Sequence, residues 1–514
     1  MSTHALRLIA VALVFVSGVV AWGQSSIGSL LDRNSPLFGG TAPVAAPSPS
    51  IVPSSGTVPV SDAAQSLAEV PSRFSIFEGY AGVFIASFLV TLFATPIMRR
   101  VAIKHGIIDR PSDPRKVHKI PVAYLGGIAV YLGLMAGVFF SLLGTRFPGL
   151  VDYHASKAAN LIDSEFHLPV PMSVLLGLTI IVLVGVIDDM VGISPRVKIG
   201  GQLFAAAALA YETVGVRMAA GIVLPFCHAL GLPITTIQTD MGPVETVAWM
   251  MPWVGGGTIT IDFIYWISTG IIAMAVVALC NASNLIDGLD GLLSGTTAIS
   301  GVGVLIIALG LALADDGKLD SQRIVLCLAV IGACMGFLPH NFNPATIFLG
   351  DAGSLLLGFA MCALILSLGD TGKTHLVAAG LICYMLPVLD TSLAIIRRKM
   401  EGKPISAADD QHLHHILKRR FGVKKAVLIL YGMAGTFAML GAMVSLGRAR
   451  VVYLLALVAV AFIAVTAIKI ARRRAIEAQI LAREAGLAPA VPQPVQPEAT
   501  PPQTGGMSGA PPAA

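Results

Sequence analysis

The segment Asn281-Ala-Ser-Asn284-Leu-Ile-Asp287-Gly-Leu-Asp290-Gly291 sets two amides and two carboxylates at three-residue spacing, directly after the apolar run from Ile267 to Cys280. On a helix, spacing of three to four brings side chains onto one face. The glycines let the backbone turn and come close to a ligand. Carboxylates are expensive in hydrocarbon, so at a helix mouth they are there to bind something, and a hydrated cation is the simplest candidate.

Four further polar clusters carry chemistry-capable residues. Asp188-Asp189-Met-Val-Gly192-Ile-Ser-Pro-Arg196-Val-Lys198 follows an apolar run that ends near Ile187. Adjacent carboxylates repel, and at least one needs a cation or a basic neighbour, for which Lys198 is the local choice. An acidic turn closing a helix is the plainer alternative. Asn341-Phe-Asn343-Pro-Ala-Thr-Ile-Phe-Leu-Gly350-Asp351-Ala-Gly353-Ser354 lies between two apolar runs. A turn of this kind that opens a helix can offer backbone N–H groups to an anion and a carboxylate to a metal. His412-Leu-His414-His415 lies in a basic loop, and helical spacing would put His412 and His415 on one face. No cysteine accompanies them, and beside so many lysines and arginines, phosphate binding or proton transfer suits them better than zinc. Arg115-Lys116-Val-His118-Lys119-Ile-Pro121 is basic and borders a membrane run, where anionic lipid or a topology signal is the ordinary reading.

The elements that must position these clusters are membrane helices. Of the 514 residues, 55% are hydrophobic and 12% charged, and mean hydropathy is +0.80. Soluble proteins carry about 25% charged residues, so a set of soluble domains is excluded. The expected fold is all-α, a polytopic integral membrane bundle of about eleven transmembrane helices with an N-terminal signal or extra helix. Predicted spans are 78–98, 122–144, 171–187, 199–217, 262–281, 290–314, 323–341, 353–369, 375–396, 424–446 and 450–470. Residues 1–22 serve either as a cleaved signal or as an uncleaved helix. Residues 23–75, rich in Pro, Ser, Gly and Ala, read as a disordered non-cytoplasmic linker. Residues 76–471 form the membrane domain, and 472–514 a disordered cytoplasmic tail. The six cysteines lack a CxxC pair and read as reduced thiols.

Loops on the two sides differ in charge. Lys and Arg crowd 99–121 and 397–425, whereas 145–170 and 315–322 are poor in both and hold several acids. The positive-inside rule then puts 99–121, 188–198, 282–289, 342–352 and 397–423 in the cytoplasm. All the polar clusters fall on that one side, although charge alone drew the topology. Carboxylates and amides for Mg²⁺ (Mn²⁺ as the alternative), with Lys, Arg and His for phosphates, are the equipment of phosphoryl transfer. A substrate half in lipid explains why such chemistry sits in a membrane bundle. A transporter would also place acids in a bundle, but near the bilayer midplane in broken helices. A non-catalytic scaffold leaves the acid–amide motifs unexplained.

In order along the chain, RKVHKIPVAYLGG, VIDDMVGIS, NASNLIDGLDGL, NPATIFLGDAGSLLLG and HLHH resemble the polyprenyl-phosphate N-acetylhexosamine-1-phosphate transferases of glycosyltransferase family 4. The resemblance covers about residues 78–470. The HLHH form is similar to the N-acetylglucosamine branch; the branch using a muramoyl-pentapeptide nucleotide carries three consecutive histidines. The resemblance implies a bacterial cytoplasmic-membrane enzyme that joins N-acetylglucosamine-1-phosphate from UDP-N-acetylglucosamine to undecaprenyl phosphate. UMP leaves, and the lipid-linked product starts cell-envelope polysaccharide. Another UDP-N-acetylhexosamine is the runner-up donor.

The resemblance also implies residue roles. Asp351 and Asn284 match metal ligands. Asp188, Asp189, Asp287, Asp290, His412, His414 and His415 match catalytic positions. Lys198, Asn281, Arg115, Lys116, His118, Asn343, Gly350, Gly353 and Ser354 match substrate-binding ones. The partners implied are the nucleotide sugar, the polyprenyl phosphate and membrane lipid; a homodimer is allowed and nucleic acid is not expected. The chain departs from the family where Asp409 is followed by Asp410 and Gln411 rather than by a cation ahead of the histidines.

Overall fold

The computed structural model describes residues 73–109, 121–147, 149–151, 170–212, 214–239, 242–252, 258–314, 320–400, 402, 404, 411–447 and isolated helical positions between 454 and 481. The segments 1–22 and 482–514, the linker up to residue 72, the residues Arg115, Lys116 and His118, and most of the predicted span 450–470 lie outside the described residues.

In hydrocarbon a backbone must satisfy its own polar groups, so long apolar runs become helices. In chain order these are α1 (Arg73–His105), α2 (Gly126–Arg146), α3 (Met172–Val191), α4 (Pro195–Tyr211), α5 (Ala220–Ala229), α6 (Phe263–Ile286), α7 (Leu292–Leu313), α8 (Asp320–Asn341), α9 (Gly350–Ser367), α10 (Thr374–Cys383), α11 (Met385–Met400), α12 (Leu413–Phe421) and α13 (Val423–Ser445). Eight of the described helices are long and apolar enough to cross a membrane. The predicted span 375–396 is the bent pair α10 and α11, set at 82°. The predicted span 199–217 is α4, with 17 residues. The all-α bundle therefore stands.

Hydropathy does not detect the short strands. β1 (Ile108–Asp109) pairs antiparallel with β2 (Val122–Ala123) just before α2. At the other end of the bundle, β3 (Thr235–Thr239) pairs with β4 (Gly242–Thr246), and β5 (Ala248–Pro252) with β6 (Thr258–Asp262). These hairpins, with α5, fill what hydropathy leaves as a loop between two spans. They join the bundle through Asp262, which caps α6 by accepting from the Tyr265 N–H and also holds the Thr246 hydroxyl.

The bundle is built around α9, whose apolar window is 89% buried against 22% for α1. Close backbone approach is what lets α9 sit there. A Cβ on Gly127 of α2 would come within 2.2 Å of the Gly353 nitrogen, and one on Gly185 of α3 within 2.3 Å of the Ala352 Cα. Small residues at such crossings are the usual way membrane helices meet. At the far end Arg323 is buried against Asp320 (2.8 Å) and donates to the Ser367 carbonyl, where it neutralises the C-terminal end of α9.

Candidate active site at one end of the bundle

The helices run further than the charge-drawn loops suggested. α3 continues to Val191, so Asp188 and Asp189 lie on its last turn rather than in a loop. It stops where Gly192, at φ 65°, returns its N–H to the Asp188 carbonyl. α6 continues to Ile286, which makes Asn281 and Asn284 helical and Asp287 the residue that ends the helix. α9 begins at Gly350, which puts Asp351 in its first turn. All three carboxylate-bearing ends converge.

At the centre Lys198, near the start of α4, donates to Asp188 at 2.5 Å and to Asp351 at 2.5 Å. Asn284 donates to the other oxygen of Asp351 (2.9 Å) and to Ser354 (2.9 Å), one turn further along α9. The bridged pair of carboxylates thus carries one ammonium, and the neighbouring Asp287 adds a third acid. Burial first, then the negative charges of Asp351, Asp189 and Asp290, push the Asp287 carboxyl up to about 8. The donor set is oxygen-rich, with carboxylates and an amide, while all six cysteines are buried and free. It fits Mg²⁺ or Mn²⁺, hard cations that take carboxylate and carbonyl ligands. The ammonium bridging Asp188 and Asp351 marks the spot as one that stabilises positive charge.

Asp189 points the other way. Its two oxygens accept the N–H groups of Asp351 (2.8 Å) and Ala352 (3.1 Å). The helix N-terminus expected to receive an anion is therefore occupied, as to these two donors, by a carboxylate of the protein itself. Gly350, at φ 68°, lies so close to Asp189 that a Cβ would come within 2.5 Å of its carboxylate. The segment leading into α9 is stitched to β2 and α2. Phe348 donates to the Ala123 carbonyl (2.9 Å), and the Gly126 and Gly127 N–H groups donate to the Phe348 and Leu349 carbonyls.

Asp290 holds the same segment from below, accepting from the Asn343 amide (2.9 Å) and the Ala345 N–H (3.0 Å). The Asn343–Pro344 peptide is cis. Asn341 closes the clasp, accepting from the Gly291 N–H and donating to the Ile347 carbonyl. Asn281 is tied to Gln202 of α4 (2.9 Å). Among the matched substrate-binding positions, Gly353 is given a packing place against α2, and Ser354 is buried on Asn284.

The histidines gather, but not as helical spacing suggested. His412 is the residue before α12 and has extended backbone (φ −58°, ψ 147°), so it does not share a helical face with His415. Its ring stacks on His414 instead, with centroids 5.4 Å apart, and His414 lies 4.2 Å from the His415 ring. Burial, helped by His414 and Lys418, lowers His415 to about 4, so that ring is neutral at physiological pH. His414 reaches the acidic pocket: a Cβ on Gly288, beside Asp287, would fall 2.5 Å from its Nε2.

Two site residues escape motif reading. Tyr124 packs its ring on Phe348 (6.1 Å), and burial with the charges of Asp109 and Asp189 raises its phenol. Asp390 of α11 accepts hydrogen bonds from His412 and His414. A lone acid in the apolar stretch LPVLD was the available signal.

The family model described as "Glycosyl transferase family 4" matches residues 171–369, which run from α3 through α9 and include Asp188, Lys198, Asn284 and Asp351. A "Probable undecaprenyl-phosphate N-acetylglucosaminyl 1-phosphate transferase" of Bacillus subtilis is 32% identical over 351 residues, covering 68% of this chain and 80% of the relative. The "Decaprenyl-phosphate N-acetylglucosaminephosphotransferase" of Mycolicibacterium smegmatis is 31% identical, covering 69% and 80%. The "Undecaprenyl-phosphate alpha-N-acetylglucosaminyl 1-phosphate transferase" of Escherichia coli is 28% identical, covering 70% and 82%.

Proposed function

The chain belongs to glycosyl transferase family 4, and from that premise we propose that it transfers N-acetylglucosamine-1-phosphate from UDP-N-acetylglucosamine to undecaprenyl phosphate. The observation that carries the proposal is the meeting of Asp188, Lys198, Asn284 and Asp351, from four helices, at one end of the bundle. The relatives' names supply the sugar and the lipid. The positive-inside reading of the basic loops supports a cytoplasmic site, on the side where nucleotide sugars are found.

In the proposed reaction an oxygen of the lipid phosphate attacks the sugar-proximal phosphorus of the donor. The bond from that phosphorus to the oxygen it shares with the uridine-bearing phosphorus breaks, and UMP leaves with the electron pair. The lipid phosphate is already largely ionised near neutral pH, so neutralising and aligning the two phosphates matters more than removing a proton. Lys198 supplies one fixed positive charge at the pocket centre. Asp351, Asn284 and Asp188 would hold Mg²⁺, which when bound supplies charge neutralisation to the pyrophosphate. His412, His414 and His415, with Lys418 beside them, form the wall that would meet the donor phosphates. Direct in-line attack is favoured over a covalent aspartyl intermediate.

A transporter is disfavoured by depth. Asp188, Asp287 and Asp351 all lie within a turn of a helix end. A pathway across the membrane would need them near the middle.

The test is purified full-length protein in detergent with ¹⁴C-labelled UDP-N-acetylglucosamine, undecaprenyl phosphate and Mg²⁺. Butanol-extractable label with stoichiometric UMP is the expected result. No label and no UMP would sink the proposal. A panel of other UDP-N-acetylhexosamines in the same assay decides the sugar.

A further inference from the structure

Asp390 is a buried carboxylate with three hydrogen-bond partners, two imidazoles and one backbone N–H. Its Oδ2 lies 3.0 Å from His412 Nδ1 and 3.3 Å from His414 Nδ1, and its Oδ1 accepts the Leu413 N–H at 2.8 Å. The side chains of Asp390 and His414 are each 2% exposed and that of His412 6%. What brings it there is the break between α10 and α11. Pro387 has no N–H to give and its ring crowds the carbonyl four residues earlier, that of Cys383, the last residue of α10. Tyr384, at the corner, is fully buried with its hydroxyl 2.8 Å from that of Ser283 on α6. The resulting 82° bend turns the first turns of α11 towards the start of α12.

We propose that Asp390 is a positioning residue for the histidine wall, fixing His412 and His414 in the Nδ1–H tautomer so that Nε2 is the nitrogen each offers to the donor phosphates. A carboxylate has no proton to give, so each Nδ1 donates and each Nε2 is left basic. The Leu413 N–H holds the carboxylate in plane, which fixes which oxygen serves both rings. The consequence reaches the acidic pocket through His414, whose Nε2 abuts Gly288 next to Asp287. The phosphate part of the proposal rests on the transferase assignment; the tautomer part does not.

Asp390→Asn separates the two roles of the carboxylate. The Leu413 N–H needs an acceptor, so the amide oxygen stays there and the amide NH₂ faces both imidazoles. Nδ1 must then accept, and the ring proton moves to Nε2. The experiment is ¹⁵N spectroscopy of ring-labelled histidines in the full-length protein in lipid nanodiscs, with signals assigned by His412→Gln and His414→Gln. The wild type is expected to show both rings protonated at Nδ1, and Asp390→Asn both at Nε2. Turnover should fall on the order of 100-fold, as when an orienting carboxylate is removed elsewhere, with KM for the nucleotide sugar changed far less. Asp390→Glu should recover the Nδ1–H signals and part of the turnover.

Nε2–H rings in the wild type would overturn the proposal, whether or not Asp390→Asn folds. So would wild-type turnover in a folded Asp390→Asn protein, or a zinc ion bound stoichiometrically through these atoms, which lie within 4.8 Å of one another. If the labelled-sugar assay fails while the Nδ1–H signals hold, the transferase assignment is at fault and the tautomer role stands.

Discussion

Lys198 and Asp351 are 153 positions apart in the chain, yet the ammonium of one stands 2.5 Å from a carboxylate oxygen of the other. The same ammonium is 2.5 Å from Asp188. Two carboxylates share one cation, which leaves a net negative charge at the convergence of α3, α4, α6 and α9. That residue of charge is what makes the place suited to a divalent cation.

Replacing Lys198 tests the charge balance. Lys198→Met should lower turnover about 10²- to 10³-fold, the usual size of losing one fixed charge-stabilising group. The variant has one more unneutralised carboxylate, so Mg²⁺ should raise its thermal midpoint more than it raises that of the wild type. Equal shifts in the two proteins would show that the ammonium does not balance the ion's site.

Asp351→Asn keeps the shape but removes a charge, and its one acceptor oxygen can serve Lys198 or Asn284 but not both. Most turnover should disappear, and excess Mg²⁺ should not restore it. Near-normal activity would remove Asp351 from the ligand set.

Asp189 accepts two backbone N–H groups at the start of α9, and an amide can accept only through one oxygen. Asp189→Asn should therefore leave one buried donor unpaired and lower stability by about 1–3 kcal/mol. Thermal unfolding in detergent checks this. A loss of activity with no loss of stability would instead give Asp189 a direct part in the reaction.

The ionisation of Asp287 sets a pH dependence. With its folded value raised to about 8, the group holds a proton at neutral pH. Its stabilising contribution is fully present below the ordinary carboxylate range and is lost as pH rises through about 8. Cation binding runs the opposite way, because a cation held at the neighbouring Asp351 favours the ionised form of Asp287. Apparent Mg²⁺ affinity should rise between pH 6.5 and about 8 and level off above it, by titration of thermal midpoint against Mg²⁺. Asp287→Asn should flatten that profile. His415, lowered to about 4, should contribute nothing across this range.

Some of this was legible in the sequence for a simple reason. Apolar runs of membrane length can do little but form helices, and charge in the loops orients them. That is enough to bring VIDD, NASNLIDG, LGDAGS and HLHH to one side without any knowledge of how the helices pack. It could not say where each helix would end. A helix runs on until something caps it, so Asp188, Asn284 and Asp351 became helical residues rather than loop residues.

The sequence by itself determined the class of molecule, the gathering of the polar clusters at one end of the bundle, and the residue types available for phosphate and cation chemistry. Those follow from composition and local pattern, which act over a few residues. Only the tertiary structure decided which partner each carboxylate meets. Asp188 meets Lys198, while its neighbour Asp189 closes the N-terminus of α9. Adjacent residues on a helix point about 100° apart, and the partner each finds depends on helices far away in sequence. The same holds for Asp390, which apolar neighbours conceal along the chain and which only the bend at Pro387 brings to His412 and His414.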